Sequence, residues 1–154
     1  MSDSQLAFSN AQGSWYGLTE RDVQRGLEAS RNAPRKRFIL PIHRTQGASV
    51  QRMINFLQPG TYLRPHKHPR LGAIETIVVL KGSVRFLVYD DDGVIIHATV
   101  LVAGTERCLV DIEDNVWHSF DVIDADTIIF ECKMGPYDVI QDKVFASWSE
   151  PETF

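Results

Sequence analysis

From Phe38 to Lys133 the chain alternates short apolar runs with turn residues, and this rhythm limits what it can fold into. The runs are Phe38–His43, Val50–Leu57, Tyr62–Arg64, Ile74–Leu80, Ser83–Tyr89, Val94–Leu101, Arg107–Ile112, Trp117–Ile123 and Thr127–Lys133. Pro59-Gly60, Lys81-Gly82, Asp92-Gly93 and Gly104 punctuate them. Runs of this length, rich in Val, Ile and aromatic residues, suit strands rather than helices. "VYDDDGVI" is a hairpin signal, because Asp-Gly tolerates the positive φ of tight hairpin turns. Many short strands without intervening helices point to an all-β chain, an antiparallel sandwich or barrel.

The residues before the strands read differently. Residues 1–17 show no periodicity and are expected to form a loose arm. "LTERDVQRGLEASRNAP" predicts one short helix, with Thr19 as its cap and Asp22 three residues on. Leu18, Val23 and Leu27 give it a thin apolar stripe, and Pro34 ends it. A length of 154 residues suits one folded unit. We divide it into an arm and short helix over 1–36 and a β-barrel with a C-terminal tail over 37–154. The turn-rich tail "GPYDVIQDKVFASWSEPETF" is expected to pack on the barrel or over its mouth.

Composition removes several functions. The net charge of -4 argues against a general nucleic-acid binder. The basic patch Arg35-Lys36-Arg37 is read as a solvated segment before the first strand, with contact to an anionic ligand as the less favoured reading. No apolar stretch approaches the roughly 18 residues of a membrane span, and the polar N-terminus lacks signal-peptide character, so a cytoplasmic protein is expected. Cys108 and Cys132 belong to no CxxC motif and are read as reduced core residues.

One stretch carries chemistry. In "RPHKHPRLGAIETIVVLKG", His66 and His68 are two residues apart, so on a strand both imidazoles project from one face. Pro69–Ala73 reads as a turn, after which Glu75 returns beside them. His118, in "DIEDNVWHSF", is a further ligand candidate. Three imidazoles and one carboxylate suit a borderline divalent ion: iron, manganese, zinc, nickel or cobalt. Four protein ligands leave coordination positions open for substrate or water.

The spacing Gly60-x5-His66-x-His68-x6-Glu75-x6-Gly82, with His118 downstream, resembles the first and second motifs of the cupin superfamily. "VQRMINFLQPGTYLRPHKHP", "ETIVVLKGSVRFLVYDDDG", "VWHS" and "KMGPYDVIQDKVFASW" resemble in particular the WbuC-like cupin metalloproteins. The resemblance covers roughly residues 30–150. It implies a jelly-roll barrel, or double-stranded β-helix, and one metal bound by His66, His68, Glu75 and His118. It also implies an association with bacterial surface-polysaccharide biosynthesis, no established reaction, and a possible homodimer formed through sheet edges. The second cupin motif usually reads Pro-x-Gly-x-x-His, and Glu113 and Asn115 stand at those places here. Asn tolerates the left-handed backbone that the glycine supplies, so the turn is expected to survive.

Arg64, Tyr62 and Asn55 precede the histidines on strands expected to border the cavity, and are candidate substrate contacts. Glu131 and Lys133 share one face of the last long run, with Phe130 and Cys132 on the other, and periodicity does not say which face is inside. His97 reads as a surface residue, His43 is given no role, and Trp117 and Trp148 read as barrel core and tail anchor. The expected function is that of a metal-binding cupin acting on a small polar molecule, a sugar derivative or an organic acid. The alternative is a non-catalytic cupin whose metal-bearing pocket binds a small ligand.

Overall fold

The computed structural model describes residues 5–153, so the first four residues of the expected arm lie outside the described residues. One helix and ten strands follow in chain order. They are α1 (Glu20–Asn32), β1 (Arg37–Pro41), β2 (Val50–Leu57), β3 (His66–Lys67), β4 (Glu75–Lys81), β5 (Ser83–Tyr89), β6 (Ile95–Val102), β7 (Leu109–Ile112), β8 (Trp117–Val122), β9 (Thr127–Met134) and β10 (Val144–Phe145). They form two five-stranded sheets, ordered β1-β2-β9-β4-β7 and β10-β3-β8-β5-β6. All the strand pairings are antiparallel. The architecture is the expected jelly roll. The described helix is neither long nor apolar enough to cross a membrane.

Strand parity builds the interior. Leu57, Ile77, Val79, Val84, Phe86, Leu101, Ile112, Phe120 and Ile129 fill the space between the sheets. Burying each such side chain contributes roughly 1.5–3 kcal/mol. The opposite face of the first sheet is covered by α1, where Leu27 packs with Leu40, Ile54, Phe56 and Ile128. In β2, therefore, Ile54 and Phe56 face the helix. Gly26 permits this contact: a Cβ there would sit 2.2 Å from the Phe56 ring. The helix has the expected start, with Thr19 Oγ1 accepting from the Asp22 N–H and the Asp22 carboxylate accepting from the Thr19 N–H.

Several expectations need correction. The arm is not loose: Phe8 N–H donates to the Ile39 carbonyl at 2.9 Å, Ala11 N–H donates to Pro41 at 3.0 Å, and Ala7 bridges Ile39. Tyr62–Arg64 is not a strand, since the chain becomes regular only after Pro65, at His66. The tail does more than pack, because Val144 and Phe145 pair with Lys67 and His66. Trp117 is not core: His118 and Phe120 take the inward positions of β8, leaving Trp117 half-buried with its indole N–H on Asp91 at 2.8 Å. Trp148 is the tail anchor expected, its ring tilted against Tyr89 and edge-on to Trp117. Cys108 and Cys132 are both free thiols.

Candidate metal centre

β3 and β8 bring two histidines together by register. His66 is the cross-strand partner of His118, and their ring centroids are 4.4 Å apart. His68 lies just past the end of β3 and keeps the same side, 5.2 Å from His66 and 5.7 Å from His118. The turn after it is tied down by Gly72 N–H donating to Asp114 Oδ2 at 2.6 Å. That turn delivers Glu75 as the first residue of β4. The carbonyl of His68 accepts from Asn115 N–H at 2.9 Å, and Asn115 has φ 60, the left-handed geometry expected of it. All four side chains are buried, and one donor atom of each lies within 4.8 Å of all the others.

The hydrogen bonds around the rings orient them. His66 Nδ1 lies 2.9 Å from the Arg64 carbonyl, His68 Nδ1 2.6 Å from the Asp142 carbonyl, and His118 Nδ1 2.9 Å from the Val116 carbonyl. A carbonyl only accepts, so each Nδ1 carries the proton and donates. In the neutral imidazole, Nε2 is then a bare lone pair. Two of these nitrogens face a single carboxylate oxygen: His68 Nε2 is 2.9 Å and His118 Nε2 3.2 Å from Glu75 Oε2. Lone pairs aimed at an anion repel unless a cation lies between them. A backbone acceptor behind each ligating imidazole is the usual outer support of a metal site.

Without a metal, protons take up part of this role. Burial, the His118 ring and Lys143 push His66 well below the usual histidine value. Burial opposes the charge on Glu75, yet its bonds to His118 and His68 hold it well below the usual carboxylate range. Burial likewise lowers His68, but the Glu75 carboxylate outweighs it and the net shift is upward.

The β4–β9 register places Lys133 opposite Glu75. Its ammonium donates to Asp142 Oδ2 at 2.7 Å, and the carbonyl of the same Asp142 holds His68. Two residues back on β9, Glu131 accepts from Asn55 Nδ2 at 3.0 Å. Burial and the charge of Glu75 push Glu131 up to about 7. Asn55, Glu75, Glu131 and Lys133 line one cavity of about 350 Å³ together with His66, His68, Arg35, Arg37, His43 and Lys143.

The sequence candidates are therefore distributed unevenly. His66, His68, Glu75 and His118 come together, and Asn55 lines the cavity beside them. Arg64 and Tyr62 do not line it. Arg64 donates to Ser149 Oγ at 2.9 Å and the Ala146 carbonyl at 3.1 Å, over the Phe145 ring, and Tyr62 donates to the Glu150 carbonyl at 2.9 Å. Both fasten the tail, because the break at Pro65 ends the parity that would have carried them alongside His66. Arg35 and Arg37 line the cavity where a solvated patch was expected, and only Lys36 between them is exposed. Glu131, Lys133, Lys143 and His43 carried no assignment from sequence. The register of β9 against Glu75 is the signal that finds the first two.

Residues 18–101 match the family model described as Domain of unknown function (DUF6016). No curated protein matches the chain. Among solved structures, the chain is similar to an oxalate oxidase in complex with the substrate analogue glycolate, at 20% identity and TM-score 0.55, covering 74% of this chain and 57% of that one. It is similar to the oxalate decarboxylase from Bacillus subtilis at 14% identity and TM-score 0.53, covering 71% of this chain and 27% of that one. It is also similar to KdgF from Halomonas sp., at 13% identity and TM-score 0.54, covering 70% of this chain and 85% of that one. The chain thus spans 57% of the length of the oxalate oxidase. At these identities the likeness is one of fold, the double-sheet jelly roll of the cupins.

Proposed function

The chain belongs to the DUF6016 family, and we propose that it is a cupin of the WbuC-like kind holding one divalent transition metal on His66, His68, Glu75 and His118. One observation carries the metal reading: backbone carbonyls lock three imidazoles so that Nε2 is the free nitrogen, and two of these nitrogens share one oxygen of a buried carboxylate. Three nitrogens and one oxygen suit iron, manganese, zinc, nickel or cobalt. When bound, such an ion supplies Lewis acidity toward a ligand oxygen.

The chain's own residues do the rest. The sheets bury all four donor side chains. Asn55 and Glu131 offer a hydrogen-bonding pair on the cavity wall for a polar ligand. The Lys133–Asp142 pair holds the tail against His68. A cavity of about 350 Å³ fits a small polar substrate, a sugar derivative or an organic acid.

The test is elemental analysis of the purified chain after growth with each of the five metals. One equivalent is expected in the native protein, with loss of that metal in His66→Ala and Glu75→Ala. A native chain with no stoichiometric metal after supplementation refutes the reading. Metal without turnover of candidate sugars or acids favours a binding role over an enzymatic one.

A further inference from the structure

Lys143 has no place in the metal centre, yet it stands beside it. It lies in the tail one residue before β10, lines the cavity, and is half-buried. Its electrostatic neighbours are Lys133, Glu131, Asp142 and Arg37, and it acts in turn on His66. Among the described residues no hydrogen bond or ion pair holds its ammonium, which lies 5.5 Å from the centre of the Phe145 ring. The nearby anions are already engaged. Asp142 holds Lys133 at 2.7 Å, Glu152 holds Arg37 at 3.0 Å, and Glu131 accepts from Asn55.

Charge in the cavity is therefore unbalanced once a metal is bound. A divalent ion outweighs the single charge of Glu75, Lys143 adds another positive charge, and Glu131 offsets at most one. Positive charge in a low-dielectric cavity is costly without a counter-ion. A second polar group on the wall also lacks a partner. His43 is 2% exposed, its Nδ1 is held by the backbone of Arg52, and its Nε2 has no hydrogen bond among the described residues. The order β1-β2-β9-β4 puts His43, just past β1, three strand spacings from Glu75, roughly 14 Å. The cavity thus has cationic groups beside the metal and, at His43 Nε2, a buried polar atom without a hydrogen bond away from it.

We propose that the ligand of this cavity is a small hydroxycarboxylate whose carboxylate is held by Lys143 beside the metal. The proposal rests on the metal reading above. A phosphate suits the site less well. Arginine is the side chain fitted for bidentate phosphate binding, and of the two arginines on the lining Arg37 has its fork spent on the Tyr62 carbonyl and Glu152. Burial pulls Lys143 below the ordinary lysine value, and a bound carboxylate removes that penalty.

The experiment is calorimetric titration of the full chain, loaded with zinc and checked for zinc content first. The probes are glycolate, neutral ethylene glycol and inorganic phosphate. Glycolate is expected to bind and ethylene glycol to give no heat at the same concentration. Lys143→Met should lower glycolate affinity by about tenfold or more at unchanged zinc content, and Lys143→Arg should restore it to within a few-fold. Absence of glycolate binding, equal binding of ethylene glycol, or an unchanged affinity in Lys143→Met overturns the proposal. Phosphate binding tighter than glycolate with the same dependence on Lys143 overturns the carboxylate assignment. A chain that takes up neither zinc nor any of the other four metals refutes the metal reading separately. The anion proposal is then decided on the metal-free chain: loss of glycolate heat in Lys143→Met keeps it, and equal heats sink it.

Discussion

His68 Nδ1 and the backbone carbonyl of Asp142 lie 2.6 Å apart, so a residue of the C-terminal segment orients a candidate metal ligand on the strand side of the barrel. The Asp142 side chain secures that position through Lys133, in a pair whose side chains are only 4% and 10% exposed.

Asp142→Asn tests this linkage. It keeps the carbonyl and the side-chain shape but removes the charge that neutralises Lys133. The tail then loses its grip on His68, and Lys133 is left under-compensated beside a cation. Metal affinity should fall by about tenfold, in the range typical of outer-shell substitutions. Competition against a chromogenic chelator reads this directly. Unchanged affinity means that the tail does not support the site.

Protons and metal compete for the same nitrogens, and the sign can be worked out. The metal-free protein holds His68 above the ordinary histidine value because Glu75 faces it. Metal binding must expel that proton. At or below the ordinary histidine value the metal-free chain should therefore release protons on loading. Calorimetry in buffers of differing ionisation heat measures it. Apparent metal affinity should weaken steadily as the pH falls through the raised His68 value, which lies above the ordinary histidine value. Loading without proton release argues against Nε2 of His68 as a ligand.

Local patterns reveal half of this site. Parity shows that His66 and His68 share a face, and the turn signal at Pro69–Ala73 brings Glu75 back to them. Asn115 is legible as a glycine substitute because its side chain tolerates positive φ, and its φ of 60 agrees. The other half is non-local. Both faces of β9 are buried at its start, Ile128 toward α1 and Ile129 toward the inter-sheet core. Alternation alone therefore does not say which way Glu131 and Lys133 point, and their inward position depends on pairing with β2 and β4. Arg35 and Arg37 look solvated in sequence because the cavity they line is shaped by distant segments, including Leu6 and Ala7 of the arm. β10 is two residues long, too short to show a period.

Gly26 is a packing residue despite its place in a helix. Alanine favours helices by about 1 kcal/mol over glycine. Here a Cβ would lie 2.2 Å from the Phe56 ring, which is fully buried and cannot swing away. Gly26→Ala should therefore destabilise the chain, by about 1–3 kcal/mol, as overpacking does. Phe56→Leu in the same chain should recover part of the loss, a coupling visible in a double-mutant cycle of thermal melts. If Gly26→Ala melts at or above the native temperature, α1 is free to move off the sheet.

Tyr16 gives the α1 cap a pH signature at the alkaline end. Its hydroxyl donates to Asp22 Oδ2 at 2.9 Å, and Asp22 also accepts from Thr19. Burial first, then the bond to Asp22, push the phenol up to about 12 from its ordinary value of 10.0. The folded chain thus keeps a proton that the unfolded chain gives up sooner. The contribution of Tyr16 is complete below pH 10 and is lost as the pH rises toward 12. Other groups titrate in the same window, so the informative quantity is a difference. Native and Tyr16→Phe chains should differ most in denaturant midpoint below pH 10 and converge as the pH approaches 12. A gap that stays constant over this range shows that the Tyr16–Asp22 bond does not contribute to folding through its proton.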